Sequence, residues 1–349
     1  MGKSDSFAYY LNKYLAIYLP GERGLATNSI LSYRDSFTLL LIFLKTEKRL
    51  RPEQLKMSFL TRELIVEFAA WLENVRGCGI STRNQRVGAM RAFCKWLAYE
   101  NPEFLKLSAE IDQLKLKKSP KPAVRYLDVD ALQHLISQPD SSAKSGLRDL
   151  LLLALTYDTG ARVSEIIKLK FQDIRTNEPA TATLTGKGNK SRVVPLMPKT
   201  LEYLNFYCER WNIDPKTAGQ SFVFTNRFGN RYTRAGIKYI LDKYVDRARV
   251  SEPDMLPAAV SAHTLRHSKA MHLLQAGNNV VYIRDILGHA DLSTTERYAK
   301  ADITMKRKAL KKAEIDMPSV SAETNKPLEA INKSIEDDMA QWLKNLAKE

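Results

Sequence analysis

The sequence is short of cysteine, of acidic charge and of long apolar runs, and each shortage excludes something. Three cysteines, Cys78, Cys94 and Cys208, occur in 349 residues and no two stand in CxxC spacing. A disulfide framework and a cysteine zinc site are therefore not expected, and reduced thiols in a cytoplasmic setting are. The longest apolar runs, LLLIFL (39–44) and LLLLAL (150–155), fall far below the roughly 20 residues that a membrane-spanning helix needs. The opening residues MGKSDSFAYY contain no apolar core of a signal peptide. GKGNKS is not a phosphate-binding loop, because Thr181 stands where its first glycine is needed and Gly188, not Ser or Thr, follows Lys187. Acidic residues number 39 against 54 Lys and Arg, a formal net charge of +15. That imbalance points to a polyanionic partner, nucleic acid first, although ribosomal and anionic-membrane proteins share it.

What is present is a globular chain, 44% hydrophobic and long enough for two domains with real cores. From residue 5 to about 113, FAYYLNKYLAIYL, SILSYRDSFTLLLIFLK, LTRELIVEFAAWLENV and STRNQRVGAMRAFCKWLAYE carry apolar residues at three- and four-residue spacing and predict helices. Ser81 or Thr82 is the expected N-cap of the fourth. That helix turns Val87, Met90, Phe93 and Leu97 inward and shows Arg83, Arg86 and Arg91 outward, as a solvated face or as arginines offered to phosphates. LKLKKSPKPAVRY (114–126) has basic residues and prolines but no acid, the chemistry of an extended linker.

The next region opens on LDVDALQHLI and the strongly apolar RDLLLLALTYDTG. ATATLTG and SRVVPLM then alternate as strands around GKGNK, a β-hairpin with a basic tip. FVFT (222–225) is a further strand candidate. Helical spacing resumes in TRAGIKYILDKYVDRARV, HTLRHSKAMHLLQAG, VVYIRDILG and STTERYAK. The expected fold class is mainly α with a small β-sheet. The expected domains are 1–113, helical; 114–126, linker; 127–304, helices with the small sheet; and 305–349, a tail. In that tail Leu328, Ile331, Ile335, Met339, Trp342 and Leu346 would form the stripe of an amphipathic helix, docking on its own domain or on a neighbouring protomer.

Four clusters carry polar chemistry. TGARVSE places Arg162 at the start of a short helix, where it could simply pair with Glu165. Lys187 sits at the hairpin tip and could be an exposed turn lysine. HTLRH puts His263 and Arg266 on one helical face. His263 and His267 have the spacing of a zinc pair, but Thr264 stands where the zinc-peptidase motif needs Glu and no third ligand fits, so no metal is expected. LGHADLSTTERYAK gives His289 and, nine residues on, Tyr298.

Taken together, these clusters resemble the tyrosine recombinases, the phage-integrase family of site-specific DNA recombinases. TGARVSE resembles the family's first arginine box, TGKGNKSRVVPL its lysine hairpin, HTLRH its His-x-x-Arg, and LGH with STTERY its second box. The resemblance implies a helical, SAM-like core-binding domain followed by an α/β catalytic domain, closing as a C-shaped clamp on double-stranded DNA. It implies Arg162, Lys187, His263, Arg266, His289 and Tyr298 as the catalytic set, Tyr298 being the nucleophile that forms a 3′-phosphotyrosine. Lys187 would be the acid for the leaving 5′-oxygen and Glu165 a buttress. Two guanidiniums suit the charge that gathers on non-bridging phosphate oxygens. A phenol of pKa about 10 needs a base or a positive field, and His263 is the expected base. Arg83, Arg86, Lys190 and Arg192 are expected phosphate contacts. Neither metal nor ATP is needed, since the covalent link preserves the phosphodiester. A homo-tetramer on DNA, accessory DNA-binding proteins and integration, excision or transposition of a mobile element are further implications. A chromosome-dimer resolvase, a type IB topoisomerase and a non-catalytic DNA-binding clamp are the alternatives.

Overall fold

The structure, a computed structural model, describes residues 6–51, 54–119, 124–289, 291, 295, 296 and 298. Contact divides the chain into two compact units, Met1–Val124 with Thr185–Ser191, and Arg125–Leu184 with Arg192–Glu349. Both are mostly helical, as the apolar spacing predicts. No described helix is long and apolar enough to cross a membrane. The expected tail helix lies outside the described residues.

The first part of the chain comprises α1 (Phe7–Asn12), a π-helical stretch (Lys13–Glu22), α2 (Thr27–Glu47), α3 (Arg62–Asn74), α4 (Ile80–Glu100) and α5 (Leu105–Asp112). Their apolar faces meet around an aromatic centre in which Phe93 lies 5.0 Å from Phe37 and 5.1 Å from Tyr14, an edge-to-face geometry that adds to burial. Val87, Met90, Phe93 and Leu97 are all buried in it. The start of α4 differs from expectation. The helix begins at Ile80 with Gly79 as N-cap and no side-chain cap, so Ser81 and Thr82 lie inside the first turn. Glycine serves there at a cost of only a few tenths of a kcal/mol, and composition gives no sign of it.

The α4 arginines also differ. Arg86 turns inward, its Nη1 donating to Ser32 O at 3.0 Å and Ser36 Oγ at 3.1 Å on α2. Arg91 donates to the carbonyls of Ile111 and Asp112 at the end of α5 and to that of Leu114 just beyond it, where helix carbonyls lack backbone partners. Arg83 donates to Asn84 Oδ1 at 3.1 Å and lies 4.0 Å from Glu73. A helix can thus present arginines at outward spacing and still use them to tie itself to its neighbours.

From residue 125 on come α6 (Val129–Ile136), α7 (Lys144–Asp158), α8 (Val163–Ile166), strands β1 (Ile174–Arg175), β2 (Thr181–Thr185) and β3 (Ser191–Pro195), and helices α9 (Pro198–Trp211), α10 (Arg234–Ser251), α11 (Ala262–Gln275) and α12 (Val280–Leu287). The sheet order is β1-β2-β3, with Ile174 opposite Ala182 in the antiparallel β1–β2 pair. The expected hairpin is β2–β3, closed by Gly186 N–H donating to Lys190 O at 2.8 Å. FVFT does not join the sheet. Phe222 and Thr225 make only single bridges, to Lys170 and Arg231.

Helix α7 is apolar nearly all round and is buried nearly all round, the mark of a central helix. It holds α11 through Tyr157 Oη against His272 Nδ1 at 2.9 Å and Lys269 Nζ to Asp158 Oδ1 at 3.2 Å. Just past α7, Gly160 has φ +55° and a Cβ there would lie 2.6 Å from Leu287 Cδ2. Only glycine lets the end of α7 come this close to the end of α12.

Candidate active site

The site is organised by the C-terminus of α12. A helix end leaves its last carbonyls unpaired and carries partial negative charge. Here three consecutive carbonyls each receive an arginine. Arg192 Nε donates to Ile286 O at 2.7 Å, Arg266 Nη2 to Leu287 O at 2.6 Å and Arg162 Nη2 to Gly288 O at 3.0 Å. Arg266 Nη1 also donates to Gly160 O at 2.7 Å. The arginines come from β3, from α11 and from the residue before α8, so one helix end draws three separate elements together.

Glu165 binds two of them. Its carboxylate accepts from Arg162 Nη1 at 2.8 Å, from the Arg162 backbone N–H at 2.8 Å and from Arg192 Nη2 at 2.9 Å. Only 2% exposed, its carboxyl would be pushed up by burial, but the bonds from Arg192 and Arg162 prevail and hold it below the usual range. Arg266, also 2% exposed, is pushed down to about 10 by burial and by the nearby Arg162 and Arg192. It therefore remains charged at neutral pH.

Around this cluster stand three histidines and a tyrosine. His289 follows the α12 cap, its Nδ1 2.8 Å from Thr295 Oγ1. Its pKa is pushed down to about 3, first by burial and then by Arg266, Arg162 and Arg192, so the ring is neutral near pH 7. If the threonine hydroxyl donates to Nδ1, the ring proton sits on Nε2, a free-standing donor type for an anion. His263, in the first turn of α11, is exposed, and its pKa is lowered by partial burial and then by Arg266 and Arg162. His267, one turn on, stacks on His263 with ring centres 6.0 Å apart. Its Nδ1 lies 2.8 Å from Tyr298 Oη. Tyr298 is 3% exposed, and its ring stacks near-parallel on His289 at 6.3 Å. A cluster of guanidiniums with a phenol and imidazoles beside it is suited to binding and attacking a phosphodiester.

Residues 125–305 match the phage integrase family, and residues 11–101 match the phage integrase N-terminal SAM-like domain. The chain belongs to the phage integrase family. It is a tyrosine recombinase, an enzyme class that cuts and rejoins DNA. An integrase/recombinase of Sinorhizobium fredii is 33% identical over 312 residues, covering 89% of this chain and 93% of that protein. The tyrosine recombinase XerD of Listeria innocua is 32% identical over 287 residues, covering 80% and 90%. In fold, the chain is similar to the XerH recombinase bound to its difH substrate, with TM-score 0.63, 22% identity and 84% and 82% of the two chains covered. It is likewise similar to the Tn1549 transposon integrase in complex with transposon right end DNA, with TM-score 0.63, 17% identity and 86% and 98% covered.

Of the residues expected from sequence, the recombinase brings Arg162, Glu165, Arg266, His289 and Tyr298 together about the α12 cap, with His263 one helical turn from His267. Lys187 opens the 3-10 turn Lys187–Asn189 at the hairpin tip, and its side chain lies outside what is described. Lys190 is exposed on the same hairpin. Arg192, expected at a phosphate, is instead turned inward on Glu165 and Ile286. Sequence reasoning gave no role to His267 beyond a rejected zinc pair. The available signal was its place beside Arg266 and one turn from His263.

Two consequences can be measured. Gly288 has φ +63° and a Cβ there would lie 2.8 Å from Arg192 Cδ, so Gly288→Ala combines backbone strain with displacement of Arg192. It should cost about 1–3 kcal/mol in urea unfolding and lower DNA cleavage as well. The second concerns acid. The folded His289 takes its proton only near pH 3, whereas its ordinary value is 6.5. Between those values the unfolded chain binds the proton and the folded chain does not, so stability falls as pH is lowered through that window. Thermal melting in His289→Gln should fall less steeply below pH 6.5 than in the unsubstituted protein.

Proposed function

We propose that this recombinase is site-specific, acting on double-stranded DNA by attack of Tyr298 Oη on a phosphodiester to give a 3′-phosphotyrosine and a free 5′-hydroxyl. The observation that carries this reading is the convergence of Arg162 and Arg266 on adjacent carbonyls of α12, with His289 and the Tyr298 ring stacked beside them. Each guanidinium has five N–H donors and spends two on the protein contacts given above, leaving three to meet non-bridging oxygens. With the Thr295 hydroxyl donating to Nδ1, neutral His289 adds an Nε2–H donor, and exposed His263 serves the same phosphate. Preorganised donors of this kind contribute about 3 kcal/mol each to the transition state. Lys187 is assigned the protonation of the leaving 5′-oxygen.

In this reading residues 1–113 form the core-binding domain, 114–126 a basic linker, 127–304 the catalytic domain and 305–349 a tail, and exchange between two duplexes calls for a homo-tetramer on DNA. Arg83 and Lys190 are kept as phosphate contacts, whereas Arg86 and Arg192 serve the fold and the site. The S. fredii relative, an integrase/recombinase by name, supports integration or excision of a mobile element as the process. The test uses a duplex selected from a random library by the full chain and nicked beside the cleavage position. A covalent protein–DNA adduct should survive detergent on a denaturing gel and be absent in Tyr298→Phe, with binding retained. No adduct on any selected site overturns the reading. Joining of two different duplexes, rather than relaxation of one supercoiled circle, separates recombinase from topoisomerase.

A further inference from the structure

We propose that His267 is a catalytic residue of this recombinase, the group that takes the proton of the Tyr298 hydroxyl as it attacks phosphorus and returns it on rejoining. The inference rests on the reading of Tyr298 as nucleophile. Its ground is contact geometry: His267 Nδ1 lies 2.8 Å from Tyr298 Oη, with the rings 5.6 Å apart and inclined at 58°. That is hydrogen-bond reach for direct proton transfer.

The other two histidines are less well placed for this step. His289 lies near-parallel to the Tyr298 ring at 16° with the ring centres 6.3 Å apart, no hydrogen bond joins it to Oη among the described residues, and its Nδ1 is engaged by Thr295. His263 stacks on His267 from the exposed first turn of α11. The phenol itself is 3% exposed, so bulk water does not reach it freely, and at neutral pH only about one phenol in a thousand is ionised without help. A protein group has to receive the proton, and the imidazole in contact is His267. The surrounding scaffold fixes that contact. α11 is pinned by Ser268 Oγ, which accepts from Leu127 N–H at 2.8 Å, and by its ties to α7.

In the forward step the Oη–H bond breaks and the proton passes to His267 Nδ1 while Oη–P forms. The P–O5′ bond breaks and the leaving oxygen takes a proton from the acid, assigned above to Lys187. Rejoining runs the same transfers backwards. His263 is thereby free to serve the phosphate oxygens, which suits its exposure and its position one turn nearer the helix start.

The test measures the rate of adduct formation on the nicked, library-selected duplex by full-length protein. His267→Asn keeps a polar group near the Nδ1 position but cannot accept a proton, and should slow adduct formation about 100-fold at neutral pH with duplex affinity unchanged. Replacing Tyr298 by a fluorinated tyrosine, whose phenol ionises near neutrality, should restore about tenfold or more of that loss, as should raising the pH. A merely structural role predicts neither rescue. His267→Gln is the second variant, and thermal melting establishes that each is folded. A rate within about threefold of the unsubstituted protein, or a loss that neither acidic phenol nor alkaline pH repairs, overturns the proposal. Absence of adduct in the unsubstituted protein would instead count against Tyr298 as nucleophile, so the two failures are distinguishable.

Discussion

Arg266→Ala is expected to slow phosphotyrosine formation by about 10³-fold or more while leaving most of the affinity for duplex DNA. The difference follows from what the side chain does. Many basic groups hold a duplex, so one contact fewer is a small loss, whereas in the proposed mechanism Arg266 meets the charge that develops on the reacting phosphate. The structure adds a second effect. Arg266 is buried and pairs with the carbonyls of Gly160 and Leu287, so alanine leaves two buried acceptors unpaired and an empty space between α7 and α12. Each unpaired acceptor costs about 1–3 kcal/mol. Urea unfolding should therefore register the substitution alongside the adduct assay. Arg266→Lys should not rescue cleavage, because a point ammonium cannot span two carbonyls and a phosphate at once. If binding and cleavage fell together, Arg266 would be a positioning residue and its role in the transition state would be lost.

Glu165→Ala should be the most destabilising single change in the site, at about 3–5 kcal/mol. The carboxylate is 2% exposed and receives both Arg162 and Arg192. Its removal leaves two guanidiniums facing one another across a buried space, with Arg266 close behind. Adduct formation should fall by at least the amount seen for a lost transition-state donor, about 10²-fold, since among the described residues Arg162 then keeps only Gly288 O to hold it. Glu165→Gln separates shape from charge. It keeps the volume but presents an amide N–H to cations, and should recover little of either loss. Full activity in Glu165→Gln would show that the carboxylate's charge is dispensable.

Much of this was legible in the sequence, and the residues show why. The helices of both units follow from apolar spacing, and the hairpin follows from two alternating runs around a glycine-bracketed tip. The site residues could be listed because their motifs are short and local. What local pattern cannot convey is the direction of a long side chain. Arg86 and Arg192 occupy positions that suit a phosphate contact, yet their partners lie 54 and 94 residues away in the chain, and one of each pair is a backbone carbonyl with no signature in the sequence. His267 was overlooked for a related reason. Its partner Tyr298 lies 31 residues on, and only folding shows which of two histidines on one helix face meets it. The start of α4 was misplaced because a glycine cap resembles a loop.

The lateness of α12 has a consequence for when the enzyme can act. Arg162 is held by a carbonyl 126 residues downstream, Arg192 by one 94 downstream and Arg266 by one 21 downstream. A ribosome-bound chain, or one truncated before this helix, carries every one of these cations without the anchor that aims them. Unfinished copies should hence be unable to nick the genome that encodes them, a safeguard obtained from chain order alone.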